Sequence, residues 1–91
     1  MKANQSDRRR EPRRTAQGPV MLLVEGPVPV EVSGRLVDVS LSGFRAAHRY
    51  FGFSVGERIR FEHAERSGEA RVAWNRITGG SAETGFVTVE G

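Results

Sequence analysis

Two groups of residues in this 91-residue chain have the types and spacing to do chemistry. The first is the run Arg8, Arg9, Arg10, Glu11, Pro12, Arg13 and Arg14; the second, with Asp38 standing 25 positions after Arg13, is Asp38-Val39-Ser40-Leu41-Ser42-Gly43. A guanidinium is a planar fork. It grips a phosphate or the O6/N7 edge of guanine bidentately, and it stacks on flat rings. On a strand, Asp38 and Ser40 lie two residues apart and share a face. A carboxylate there accepts parallel N–H donors, such as N1–H and N2–H₂ of guanine, and a hydroxyl serves a second base edge or a phosphate oxygen. Gly43 allows a turn and a close backbone approach. Each group alone also has an ordinary reading. Asp, Ser and Gly are common where strands turn, and an arginine run is commonly a solvated tail or a nonspecific nucleic-acid arm.

Other chemistry is poorly represented. The chain has no cysteine, which removes disulfides and thiolate catalysis and fits a reducing cytosol. His48 and His63 have no partners at metal-ligand spacing, and neither a G-x-S-x-G elbow nor an H-E-x-x-H motif occurs. The expectation is a binding protein, not an enzyme, with no metal. Arg76 and Gly79-Gly80 read as a hinge loop. The basic N-terminus leads into no apolar segment, and the longest apolar stretch, 20–24, is too short to cross a bilayer. A cytoplasmic protein without membrane insertion is expected.

Charge is unevenly placed. The net charge is +3. Residues 1–14 hold six basic and two acidic side chains (+4), and residues 15–91 hold eight basic and nine acidic ones (−1). Of the 14 basic residues all but Lys2 are arginine, a bias that a generic charged surface does not need.

The elements that must position these groups are strands. Residues 1–18 are polar, lack apolar periodicity and read as a flexible basic arm. Strands are expected at 20–25, 28–40, 43–47, 57–63, 69–75 and 84–90. In the fourth, Ile59 and Phe61 alternate with charged residues. In the fifth, Ala70, Val72 and Trp74 share a face. Arg66-Ser67-Gly68 reads as a hairpin turn and 78–81 as a loop. Residues 49–55 read as a loop or single turn over one barrel end. The second strand has a phase conflict. Val28, Val30 and Val32 are even, whereas Val37, Val39 and Leu41 are odd, and one flat strand cannot point both sets inward. A bulge or bend between Ser33 and Val37 is expected, with Gly34 as the permissive residue. The fold expected is all-β: a six-stranded antiparallel β-barrel, residues 19–91, with a flexible basic N-terminal arm and little helix.

The two motifs, in this order and ahead of short strands, resemble the RxxxR and [D/N]xSxxG signatures of PilZ domains, small β-barrel receptors for cyclic di-GMP. The resemblance covers residues 8–90. It implies that Arg9 and Arg13 hold guanine and phosphate, that Asp38 and Ser40 hold a guanine edge, and that Gly43 lets the ligand approach the backbone. Arg8, Arg10 and Arg14 flank the motif, and Arg10 to Arg14 also satisfies RxxxR. Trp74 resembles a late-strand tryptophan that contacts ligand in some members; packing at the core or rim is its other reading. Many members carry a C-terminal helix, for which this chain shows no pattern. The implied function is a cyclic di-GMP receptor or adaptor whose arm orders around the ligand and presents a new surface to a downstream protein. Two alternatives stand beside it: a nucleic-acid-binding barrel with a basic arm, and a PilZ-like protein–protein adaptor that binds no nucleotide. Against nucleic acid, the barrel portion is slightly acidic and no strand clusters exposed aromatics.

Overall fold

The computed structural model describes residues 12–89, and these fold without helix into seven antiparallel strands. They are β1 (Arg13–Thr15), β2 (Pro19–Val24), β3 (Val30–Ser40), β4 (Gly43–His48), β5 (Arg58–His63), β6 (Arg66–Thr78) and β7 (Ser81–Thr88). Strands β2 to β7 form a closed six-stranded barrel in the order β3-β2-β5-β6-β7-β4, with β4 returning to β3. Closure removes open sheet edges, a sound solution for a short chain. β1 is an additional strand against β3, pairing Arg13 with Ser40 and Thr15 with Asp38. Arg13–Thr15, which the composition places in a flexible arm, are therefore extended and paired.

The core follows the two-residue period. Val20 and Leu22 of β2, Ile59 and Phe61 of β5, and Ala70 and Val72 of β6 point inward and are buried. Phe44 sits at the centre, its ring 4.7 Å from that of Phe61 and 4.9 Å from that of Phe86. Such aromatic pairs add to the stabilisation from buried area.

The phase conflict in β3 is resolved by a one-residue bulge at Val37, since Leu36 pairs with Ala46 while Asp38 pairs with Arg45. Val32 and Leu36 face the core before it and Val39 after it. The bulge thus lies at the end of the expected interval, and Gly34 is not its cause. A Cβ on Gly34 would stand 2.8 Å from the Ala47 carbonyl oxygen, so glycine there permits close strand approach. Three expected inward residues are outside the core: Val28 precedes β3 at 78% exposure, Leu41, in the β3–β4 turn, is 79% exposed, and Val37 is the half-buried bulge residue itself.

The hairpin after β5 also differs from expectation. His63 pairs with Arg66, so the turn is Ala64-Glu65, and Arg66-Ser67-Gly68 already belong to β6. In this register Phe61 pairs with Gly68. Placing the turn at Ser67-Gly68 would move Phe61 away from its partner. A second bulge lies at Ala73, where Val72 pairs with Phe86 but Trp74 with Gly85. It moves Trp74 off the face of Ala70 and Val72, against the expected alternation.

One barrel end is closed by residues 50–56, which lack regular structure. Phe53 is buried against Phe86, Tyr50 and His48. A polar chain fixes this segment. The Tyr50 N–H donates to His48 Nδ1 (3.1 Å), leaving His48 Nε2 to donate to Thr84 Oγ1 (2.7 Å). Thr84 donates to Asn75 Oδ1 (2.8 Å), and Asn75 Nδ2 donates to the Phe53 carbonyl (3.0 Å). Every donor has an acceptor, as buried polar groups require.

Burial pushes the pKa of His48 below the ordinary imidazole value, and does the same to His63. Below about pH 6.5 the unfolded chain takes up protons that the folded chain resists, so the stability these groups confer is complete above that pH and lost as pH falls. The urea midpoint should be lower at about pH 5.5 than at about pH 7.5, and His48→Gln should narrow the difference. An unchanged difference in the variant would assign the acid sensitivity elsewhere.

Candidate functional site

The bulge at Val37 is what makes a site possible. Unbroken alternation from Val32 through Leu36 would send Asp38 into a core of aromatic and aliphatic side chains. After the bulge Asp38 pairs with Arg45 of β4, and Arg45 faces outward because its neighbours Phe44 and Ala46 face in. Cross-strand partners share a face. Asp38 is therefore on the outer wall, yet only 5% exposed. Two arginines cover it. Arg13 donates to Oδ1 from Nη2 (2.9 Å) and Nε (3.3 Å). Arg45 donates to Oδ2 through both Nε (2.8 Å) and Nη2. Arg13 also reaches Ser40 Oγ through Nη1 (3.3 Å). Burial alone would raise the Asp38 pKa, but the hydrogen bonds from Arg45 and Arg13 and their charges outweigh it and hold the carboxyl below the usual aspartate range. The same bond raises Arg45 further above its ordinary value.

Arg13, Asp38 and Ser40, singled out by sequence, are thus brought together, with Arg13 bonded to both of the others. Arg14 lies on the other side of β1 and pairs with Glu65 (2.5 Å), away from Asp38, as strand alternation dictates. Arg8, Arg9 and Arg10 lie outside the described residues. Gly43 is buried, and its constraint is internal. It pairs with Val87, and a Cβ would overlap the Phe86 carbonyl oxygen across the β4–β7 ladder.

The register continues across the barrel wall. Asp38 pairs with Arg45, Arg45 with Gly85, and Gly85 with Trp74. Four adjacent strands therefore carry one outward row: carboxylate, guanidinium, glycine, indole. Trp74 lies against Gly85 so closely that a Cβ there would meet the indole ring, and Arg76 stands over Trp74 at 5.8 Å, a cation–π distance. Beside the row is a groove of about 330 Å³ whose lining includes Arg13, Ser42, Arg45, Trp74 and Gly85. Sequence reading missed Arg45. The signal was countable, because a two-residue turn at Leu41-Ser42 places residue 45 opposite residue 38.

A larger, mostly apolar cleft of about 490 Å³ opens at one barrel end beside Val39, Leu41, Phe44 and His63, with Arg14 and Glu65 at its edge. It brings Ser40 and Gly43 to its wall but neither Asp38 nor Arg13. The smaller groove is the better candidate for recognition, since it combines cations, an aromatic face and a neighbouring carboxylate. Among the described residues no cluster of three or more His, Cys, Asp or Glu side chains could hold a metal ion, and no helix is long and apolar enough to cross a membrane. No protein-family model matches this chain, and no curated protein does.

Overpacking a tight strand contact costs about 1–3 kcal/mol. Gly43→Ala should lower unfolding free energy by about that amount, read as a reduced urea midpoint with unchanged slope. An unaffected midpoint would mean that β4 and β7 separate readily and that this glycine is not held by packing. Asp38→Asn, which weakens both arginine bonds, should speed amide hydrogen exchange at Ala16, whose N–H donates to the Val37 carbonyl. Unchanged exchange would show β1 to be held by its backbone alone.

Proposed function

We propose that this protein is a cyclic di-GMP receptor or adaptor of the PilZ type, recognising its ligand on the outer barrel wall. The observation that carries the reading is the juxtaposition of Arg13, Asp38 and Ser40, members of two motifs far apart in sequence, beside a groove that also holds Arg45 and Trp74. The chemistry fits a dianionic molecule with two guanines. Asp38 supplies a carboxylate for N1–H and N2–H₂, Arg13 supplies a fork for phosphate or the O6/N7 edge, and Trp74 supplies a stacking face. Arg9 belongs to the same reading through its RxxxR spacing with Arg13. Signalling would follow from ordering of the N-terminal segment around the ligand, which creates a new surface for a partner protein.

The second reading, a nucleic-acid-binding barrel, draws on the abundance of arginine. Part of that abundance is neutralised on the surface: Arg58 and Arg60 lie 3.8 Å from Glu69, and Arg76 pairs with Glu83 at 2.7 Å. A third reading is a protein–protein adaptor that binds no nucleotide.

Titration calorimetry with cyclic di-GMP, with GMP and short single-stranded DNA as controls, separates the three. The receptor reading expects saturable binding of cyclic di-GMP alone. A hydrogen bond to a charged group is worth about 1.5–3 kcal/mol, so Arg13→Ala and Asp38→Ala should each weaken binding about tenfold to a hundredfold. Binding to DNA alone, declining steeply with salt, would favour the second reading. No heat with any of them would leave the adaptor.

A further inference from the structure

Asp38 has two carboxylate oxygens, and each is held by a different arginine. The two holders are not equally secure. Arg45 sits within β4, whose backbone is paired on both edges, to β3 and to β7. Its guanidinium meets Oδ2 with two donors from the same fork. Arg13 begins a three-residue strand that pairs with β3 along one edge. Its side chain is about as exposed as that of Arg45, 40% against 34%, so the difference lies in the backbone, and its two bonds to Oδ1 are 2.9 and 3.3 Å. The backbone that carries Arg45 moves only with the barrel wall, whereas the backbone that carries Arg13 moves with a local opening at the end of a short strand.

We propose that Arg45 is a positioning residue for ligand recognition: it pins Asp38 through Oδ2 and leaves Oδ1 as the oxygen over which Arg13 and a ligand's N–H donors exchange. The class of ligand follows from what Arg13 presents. Its Nε–H and Nη2–H form a parallel donor pair, the arrangement that the N1–H and N2–H₂ of guanine also offer. Arg13 occupies the place such an edge would take, and on exchange it becomes available for phosphate. Arg45 keeps the carboxylate oriented and ionised throughout. The charged groups acting on this pair are Arg13 from β1, Arg45 from β4 and, through Arg45, Glu83 from β7.

The inference rests on the receptor reading, and the test separates the two. The full chain, Arg45→Gln and Arg45→Lys are compared by carbon NMR titration of the Asp38 carboxyl without ligand, and by cyclic di-GMP calorimetry across the acid range. Arg45→Gln should raise the titration midpoint of Asp38, weaken binding about tenfold or more, and move the acid loss of binding to higher pH in parallel. Arg45→Lys keeps the charge but loses the fork, and should fall between; it also provides a folded comparison if the glutamine variant is unstable. An Asp38 titration that does not move in Arg45→Gln overturns the positioning role whatever the ligand does. A titration that moves while affinity stays unchanged, or tightens, overturns it as well and leaves the receptor reading standing. Failure of the unsubstituted chain to bind cyclic di-GMP overturns the receptor reading and, with it, the exchange. That failure is recognisable because it precedes any substitution.

Discussion

An aspartate two positions along from core residues must either be buried at great cost or be turned out of the core. In this barrel the turn is a single extra residue at Val37. The place of Asp38 on the outer wall depends on that slip. It exchanges the inward set of β3 from even to odd positions, keeps Val39 in the core and sets Asp38 opposite Arg45. A second slip at Ala73 does the same for Trp74 on the far side of the wall. Two bulges on non-adjacent strands thus deliver a carboxylate and an indole to one row, with the regular strands β4 and β7 between them. Bulges of this kind commonly re-aim a side chain next to a functional surface.

Much of the barrel was legible because its core strands are strictly periodic. Ile59 and Phe61, or Ala70 and Val72, announce which face is buried. The conflict between Val32 and Val39 announced a break in β3 and the interval that holds it, but not the residue that makes it. Gly34 drew attention as the permissive residue, yet its lack of a side chain serves the Ala47 carbonyl, a contact between strands that local composition does not encode. The same limit explains the misplaced turn. Ser67-Gly68 has turn chemistry, but both residues pair within the ladder, with Glu62 and Phe61.

The site was legible in its unusual residues and hidden in its common ones. Arg13, Asp38 and Ser40 stood out by motif, and they meet. Arg45 reads locally as an ordinary outward residue after Phe44. Only its position between Asp38 and Gly85 gives it meaning. Trp74 was visible as a residue, but its face was not, since the bulge at Ala73 reverses the alternation that Ala70 and Val72 establish.

The short strand β1 has a further consequence. β2 covers one edge of β3 only as far as Arg35. Beyond it the Leu36 N–H is taken by the Gly18 carbonyl, the Val37 carbonyl by the Ala16 N–H, and residues 38–40 by β1. The segment that carries Arg13 to Asp38 is therefore also the cover over backbone groups that would otherwise form an unpaired sheet margin, the kind of surface on which chains add to one another. Recognition chemistry and protection against strand-to-strand association are carried by the same few residues, so a change that loosens one loosens the other.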